Sequence, residues 1–88
     1  MFFKTMEERI YELMEENHII GRIVDYKLYN GIVGMVAVEI IWGDWKHQHK
    51  RFDCLMRKSF RHLRRVHEVI TEECECDFYS AVHYYYFD

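Results

Sequence analysis

Between Ile19 and Trp42, two runs of β-branched and aromatic residues flank Asn30-Gly31. Asn and Gly tolerate the positive φ that both central positions of a type I′ turn need, so the stretch predicts a two-residue β-hairpin. The turn sets a register. Tyr29 faces Ile32, Leu28 faces Val33, Tyr26 faces Met35, Val24 faces Ala37, Arg22 faces Glu39 and Ile20 faces Ile41. Side chains alternate across a strand, so these pairs sort onto two faces. One holds Ile20, Arg22, Val24, Tyr26, Leu28, Val33, Met35, Ala37, Glu39 and Ile41. The other is richer in stiff residues, with Ile23, Val36, Val38 and Ile40. Both are largely apolar, whereas a sheet with one wet face alternates more cleanly. Cover is therefore expected on both.

Elements flanking the hairpin follow from the same patterns. Thr5-Met6-Glu7-Glu8 reads as a capping box, and Met6, Ile10, Leu13 and Met14 recur at helical spacing, which predicts a helix ending near residue 17. Gly43-Asp44 signals a turn, and Trp45 to Phe52 reads as a short third strand or a loop. Phe52-Asp53 suits the entry to a second helix. Leu55, Met56, Phe60, Leu63, Val66 and Ile70 extend its apolar stripe, so the helix is expected over 53–71. Phe78 to Phe87 forms the last strand, with Phe78, Val82, Tyr84 and Tyr86 as inward candidates. The order is α-β-β-(β)-α-β: a single α+β domain over 1–88, a two-layer sandwich whose antiparallel sheet is built on the central hairpin. Both helices should cover the Ile23/Val36/Val38/Ile40 face, with the last strand beside the hairpin. Tyr26, Leu28, Val33 and Met35 are then left for a partner or a second copy, and a homodimer is expected.

Composition narrows the class. Eighty-eight residues, half of them apolar, form one core without staples. No apolar run reaches the roughly 18 residues of a membrane span, and Met1-Phe2-Phe3-Lys4 is too short for a signal peptide. Three cysteines cannot all pair within one chain, which points to a reducing, cytoplasmic setting. There is no proline, and no low-complexity segment or repeat is apparent. The net charge of −3 conceals segregation: residues 1–45 carry −4, residues 46–67 carry +7 and residues 68–88 carry −6. Polarity on that scale bears on partners rather than on fold.

No local motif assigns a chemistry. His47-x-His49 and Cys74-x-Cys76 are metal candidates, since residues two apart on a strand share a face, but neither has the usual spacing of zinc motifs. Neither metal nor cofactor is expected. Cys54, at the expected helix start, is a candidate thiolate, though a small buried thiol is the commoner case. There is no phosphate loop, G-x-S-x-G or H-E-x-x-H, so the chain is read as non-enzymatic. His62, His67 and His83 are read as packing or surface residues. The strongest signal is the basic side of the second helix, Arg57, Lys58, Arg61, Arg64 and Arg65, which suits phosphates or carboxylates alike. The favoured reading is a small macromolecular interaction protein with a protein partner. Its size and lack of motif match those of phage or mobile-element inhibitors of host defence proteins. The alternative is a nucleic-acid-binding regulator using the basic helix over 53–71, helped by the tyrosine-rich tail, which offers rings for stacking bases.

Overall fold

The computed structural model describes residues 5–42, 48–72 and 79–87. The elements run α1 (Met6–Glu16), β1 (Gly21–Tyr29), β2 (Ile32–Trp42), α2 (Gln48–Ser59), β3 (Leu63–Glu72) and β4 (Tyr79–Phe87). The four strands form one antiparallel sheet in the order β1-β2-β4-β3. The α+β class, the antiparallel sheet and the last strand's place beside the hairpin are as the sequence predicts. Among the described residues no helix is long and apolar enough to cross a membrane.

Helix α1 starts where its cap predicts. The Thr5 hydroxyl accepts from the Glu8 amide at 3.1 Å and donates to the Glu8 carboxylate at 3.2 Å, so the two residues satisfy each other. The helix ends in a Schellman motif built on His18, whose φ is +56°. The Ile19 amide donates to the Met14 carbonyl and the His18 amide to the Glu15 carbonyl. Ile19 and Met14 are both buried, which completes the motif's apolar contact.

The hairpin turn is as expected: Asn30 and Gly31 both have positive φ. The strands follow the predicted pairing at Tyr29↔Ile32 and Leu28↔Val33, and again at Ile23↔Val38, Arg22↔Glu39 and Gly21↔Ile40. Arg22 and Glu39 make the expected cross-strand ion pair at 3.2 Å. Between these segments the ladder skips Gly34 on β2 and Val24 on β1. One bulge on each strand shifts the middle by one residue and then restores it. Tyr26 consequently faces Val36, and Met35 faces Lys27. The Tyr29 ring lies against Gly34, where a Cβ would collide with it.

The second half corrects the sequence reading. Phe52 and Asp53 lie inside α2 rather than before it, and Gln48–Phe52 is helical rather than a third strand. The helix stops at Ser59, and 63–72 is an edge strand. The stripe Phe60, Leu63, Val66, Ile70 fits a helix by spacing alone. From Val66 onward the segment is rich in β-branched residues, and β4 offers it a full antiparallel ladder. The turn between them is made by Arg61-His62 without glycine or proline. On β4 the parity is reversed. Ala81, His83 and Tyr85 are fully buried against the helices, while Val82, Tyr84 and Tyr86 lie half-buried on the opposite face. Phe78 lies outside the described residues.

The core joins Ile10 and Met14 of α1 and Phe52 and Met56 of α2 to Val36, Val38 and Ile40 of β2 and Tyr85 of β4. Both helices thus cover the expected sheet face. The other face has no layer over it among the described residues.

This architecture contains a repeat that the sequence reading missed. It is αββ followed by αββ, and exchanging the halves leaves the order β1-β2-β4-β3 unchanged. The helices share Arg9-Ile10-x-x-Leu13-Met14 and Arg51-Phe52-x-x-Leu55-Met56. The arginines play matching parts. Arg9 donates to the Ser59 carbonyl at the end of α2 at 3.1 Å, and Arg51 donates to the Asn17 carbonyl at the end of α1 at 2.9 Å. The helices therefore run antiparallel, each one's first half clasping the other's C-terminus, where the helix dipole favours a cation. By sequence α1 carries a net charge of −4 and α2 of +3, so opposite charges lie side by side.

Candidate functional site

The five basic residues do not share one helix face. Arg57 and Lys58 end α2, Arg61 is in the following turn, and Arg64 and Arg65 are on β3. Arg57 is engaged internally: its Nε donates to Asp53 one helical turn back at 2.9 Å, and this hydrogen bond raises its already high pKa. Arg65 lies opposite Tyr86 across the β3–β4 ladder, its guanidinium 4.4 Å from the ring centre. Lys58 and Arg61 project to solvent.

The apolar set also divides. Met35 is only 5% exposed, held on the uncovered face between Lys27 and Tyr86, so it is not available as a contact. The paired bulges bring Tyr26, Leu28 and Val33 to the helix side instead. There they join Ile23, Val36 and the start of α1 around a pocket of about 250 Å3. Tyr26 and Leu28 remain 53% exposed, and at the hairpin tip Tyr29 and Ile32 are 63% and 65% exposed. Beside them a second cleft of about 420 Å3 is lined by Met6, Arg9, Ile32, Phe60, Arg61 and Phe87, among others. One end of the molecule therefore combines an exposed apolar hairpin with the exposed Arg61. Tyr29 and Ile32, which the sequence reading left out of the binding set, are part of it. Their neighbourhood with Asn30-Gly31 was the available signal, since the residues beside a tight turn overhang the sheet.

The uncovered sheet face has a different character. Tyr84 and Tyr86 stand near its middle, with His67 tilted against Tyr84 and Arg65 over Tyr86. Val69 is 43% exposed, and Arg22, Asp25 and Lys27 line β1.

A third constellation lies between α2 and the sheet, its two histidines buried and its glutamate exposed. His49 comes from the first turn of α2, Glu68 from β3 and His83 from β4, where Glu68 and His83 are direct cross-strand neighbours. His49 Nδ1 lies 2.9 Å from Glu68 Oε1, and His83 Nε2 lies 3.9 Å from Glu68 Oε2. The other ring nitrogen of His83 is 2.9 Å from the Tyr85 hydroxyl. Burial holds the His83 pKa below 6.5 against the opposing pull of Glu68 and Asp53, and burial raises that of the Tyr85 phenol. Of the metal candidates weighed from the sequence, His47, Cys74 and Cys76 lie outside the described residues, and His49 turns to Glu68. His83, read as a packing or surface residue, is at the centre of the group. Cys54 is exposed in the middle of α2 rather than at its start, which removes the N-terminal stabilisation proposed for a thiolate.

No protein-family model, curated protein or solved structure matches this chain.

Proposed function

We propose that this protein is a non-enzymatic binding module that acts by occupying the surface of a partner protein. Its contact surface is the hairpin end: Tyr26, Leu28, Tyr29 and Ile32 supply apolar area, and Lys58 and Arg61 supply a cationic rim. The observation that carries this reading is the exposure of Tyr26, Leu28, Tyr29 and Ile32 toward the hairpin tip, next to two open clefts. Contiguous exposed apolar surface rimmed by charge is the usual mark of an interaction site. Occlusion needs no catalytic group, which suits an inhibitor of a host defence protein working in the cytoplasm. A second copy of the chain is the competing occupant, in which case the same hairpin makes a homodimer.

A nucleic-acid reading is favoured by one separate observation. Tyr84 and Tyr86 lie on an uncovered sheet face with Arg65 and His67 against them. Sheet faces with central aromatics can stack single-stranded bases. Here, however, the cation already covers the Tyr86 ring.

Two double variants distinguish these surfaces. Leu28→Asp with Ile32→Asp removes the apolar hairpin, and Arg61→Glu with Arg65→Glu reverses one cation of the rim and the cation over Tyr86. We expect the first to abolish co-purification of the partner and the second to weaken it by about tenfold. Salt dependence should be shallow. Binding that survives the hairpin variant, is lost with the arginines and falls log-linearly with salt would instead assign the basic surface to phosphates.

A further inference from the structure

We infer that His49, Glu68 and His83 form a binding site for one divalent transition-metal ion of the zinc class. Their potential ligand atoms all lie within 4.8 Å of one another. Tetrahedral zinc with bonds of about 2.0–2.1 Å places its ligands about 3.3 Å apart. The 2.9 Å separation from His49 to Glu68 Oε1 and the 3.9 Å separation from His83 to Glu68 Oε2 lie on either side of that value. Two imidazoles and one carboxylate suit zinc or iron rather than magnesium or calcium, which prefer oxygen alone. Three protein ligands leave a fourth position open. The Glu68 side chain is 35% exposed, and it gives the ion a route to solvent.

Two observations separate this from a purely structural polar cluster. The first is His83 Nε2. His83 is fully buried, and among the described residues this nitrogen has no hydrogen-bond partner although it points toward Glu68. An unsatisfied buried polar atom is costly, and a metal ion would satisfy it. Its other nitrogen is set by the Tyr85 hydroxyl, the kind of outer contact that orients a histidine ligand.

The second is the internal repeat. Matching Arg9 to Arg51 sets Glu7 against His49 and Tyr26 against Glu68. The cross-strand neighbours of Tyr26 and Glu68 are Val36 and His83, which are then equivalent. In the first half Glu7, Tyr26 and Val36 line the 250 Å3 pocket. The first half thus keeps the αββ architecture with no histidine at these positions. The fold does not require the two histidines and the carboxylate, so their assembly in the second half needs another reason.

The test uses the full chain freed of metal by a chelator, titrated with Zn2+ alone and with Mg2+ for comparison. Calorimetry should give one Zn2+ per chain with micromolar or tighter affinity and no Mg2+ binding, and Zn2+ should raise the midpoint of thermal unfolding. Glu68→Gln keeps size and partial exposure, and His49→Gln keeps a polar group. Each should weaken Zn2+ binding by more than about a hundredfold, beyond the range for outer contacts. Circular dichroism checks that both variants fold. Cys74→Ser with Cys76→Ser should bind as the wild type does. No stoichiometric Zn2+ binding by the wild type would overturn the site. So would binding that persists in folded Glu68→Gln and disappears with the two cysteines.

Discussion

His18 shows how one residue can carry strain for the sake of a chain reversal. It adopts φ +56°, a region that costs a residue with a Cβ roughly 1–2 kcal/mol, because it must close the end of α1 and send Ile19 into the core. Glycine takes this conformation without that penalty, although it loses more entropy on folding. We therefore expect His18→Gly to stabilise the protein by up to about 1 kcal/mol, and His18→Val to destabilise it, both measured by urea unfolding. A destabilised glycine variant would mean that the His18 side chain contributes more than the backbone strain removes. Gly34 is the converse case. Its lack of a Cβ makes room for the Tyr29 ring on the strand that carries one of the bulges, so the residue is chosen for contact rather than for dihedral freedom.

At the scale of elements, the clasp between the helices makes a paired prediction. Arg9→Ala and Arg51→Ala remove equivalent hydrogen bonds to the ends of α2 and α1. Each should cost about 0.5–1.5 kcal/mol, and the two losses should match closely. Arg9 also lies over Phe60, 4.4 Å from the ring centre, so its loss should be the larger if they differ. Equilibrium denaturation of both variants checks this, and a neutral Arg51→Ala would break the symmetry argument. These elements also show what the sequence discloses. The hairpin is legible because Asn30-Gly31 has few alternatives, and α1 because its cap and stripe agree. The end of α2 is hidden because Phe60, Leu63, Val66 and Ile70 satisfy a helical period across a turn that lacks glycine and proline. The two bulges are hidden because they cancel: Arg22↔Glu39 is correct in either register, while Tyr26 between them changes face. The parity of β4 was misread because its half-buried tyrosines look like core and His83 does not. The His49/Glu68/His83 group has no local spacing at all. It exists only once α2, β3 and β4 have met.

At the scale of the molecule, the repeated αββ arrangement accounts for the division of labour. Two αββ halves share one sheet and one helix layer, so the core needs only one side of the sheet. The edge strands are interrupted, β1 by the bulge at Val24 and β3 by an irregularity between Leu63 and Arg65, and such interruptions discourage edge-to-edge pairing. The surface proposed for a partner is the hairpin end, with Tyr26, Leu28, Tyr29 and Ile32 exposed. The chain's own charge segregation is partly consumed within the fold, since acidic α1 lies against basic α2 and Arg57 binds Asp53. That makes the apolar hairpin, rather than the run of arginines, the centre of the account. Native mass spectrometry of the protein isolated from the cells that produce it tests this most directly. The prediction is a complex with a partner protein that is absent when Leu28→Asp/Ile32→Asp is isolated in folded form. A co-purified polynucleotide, or a protein complex undiminished in that variant, would contradict it.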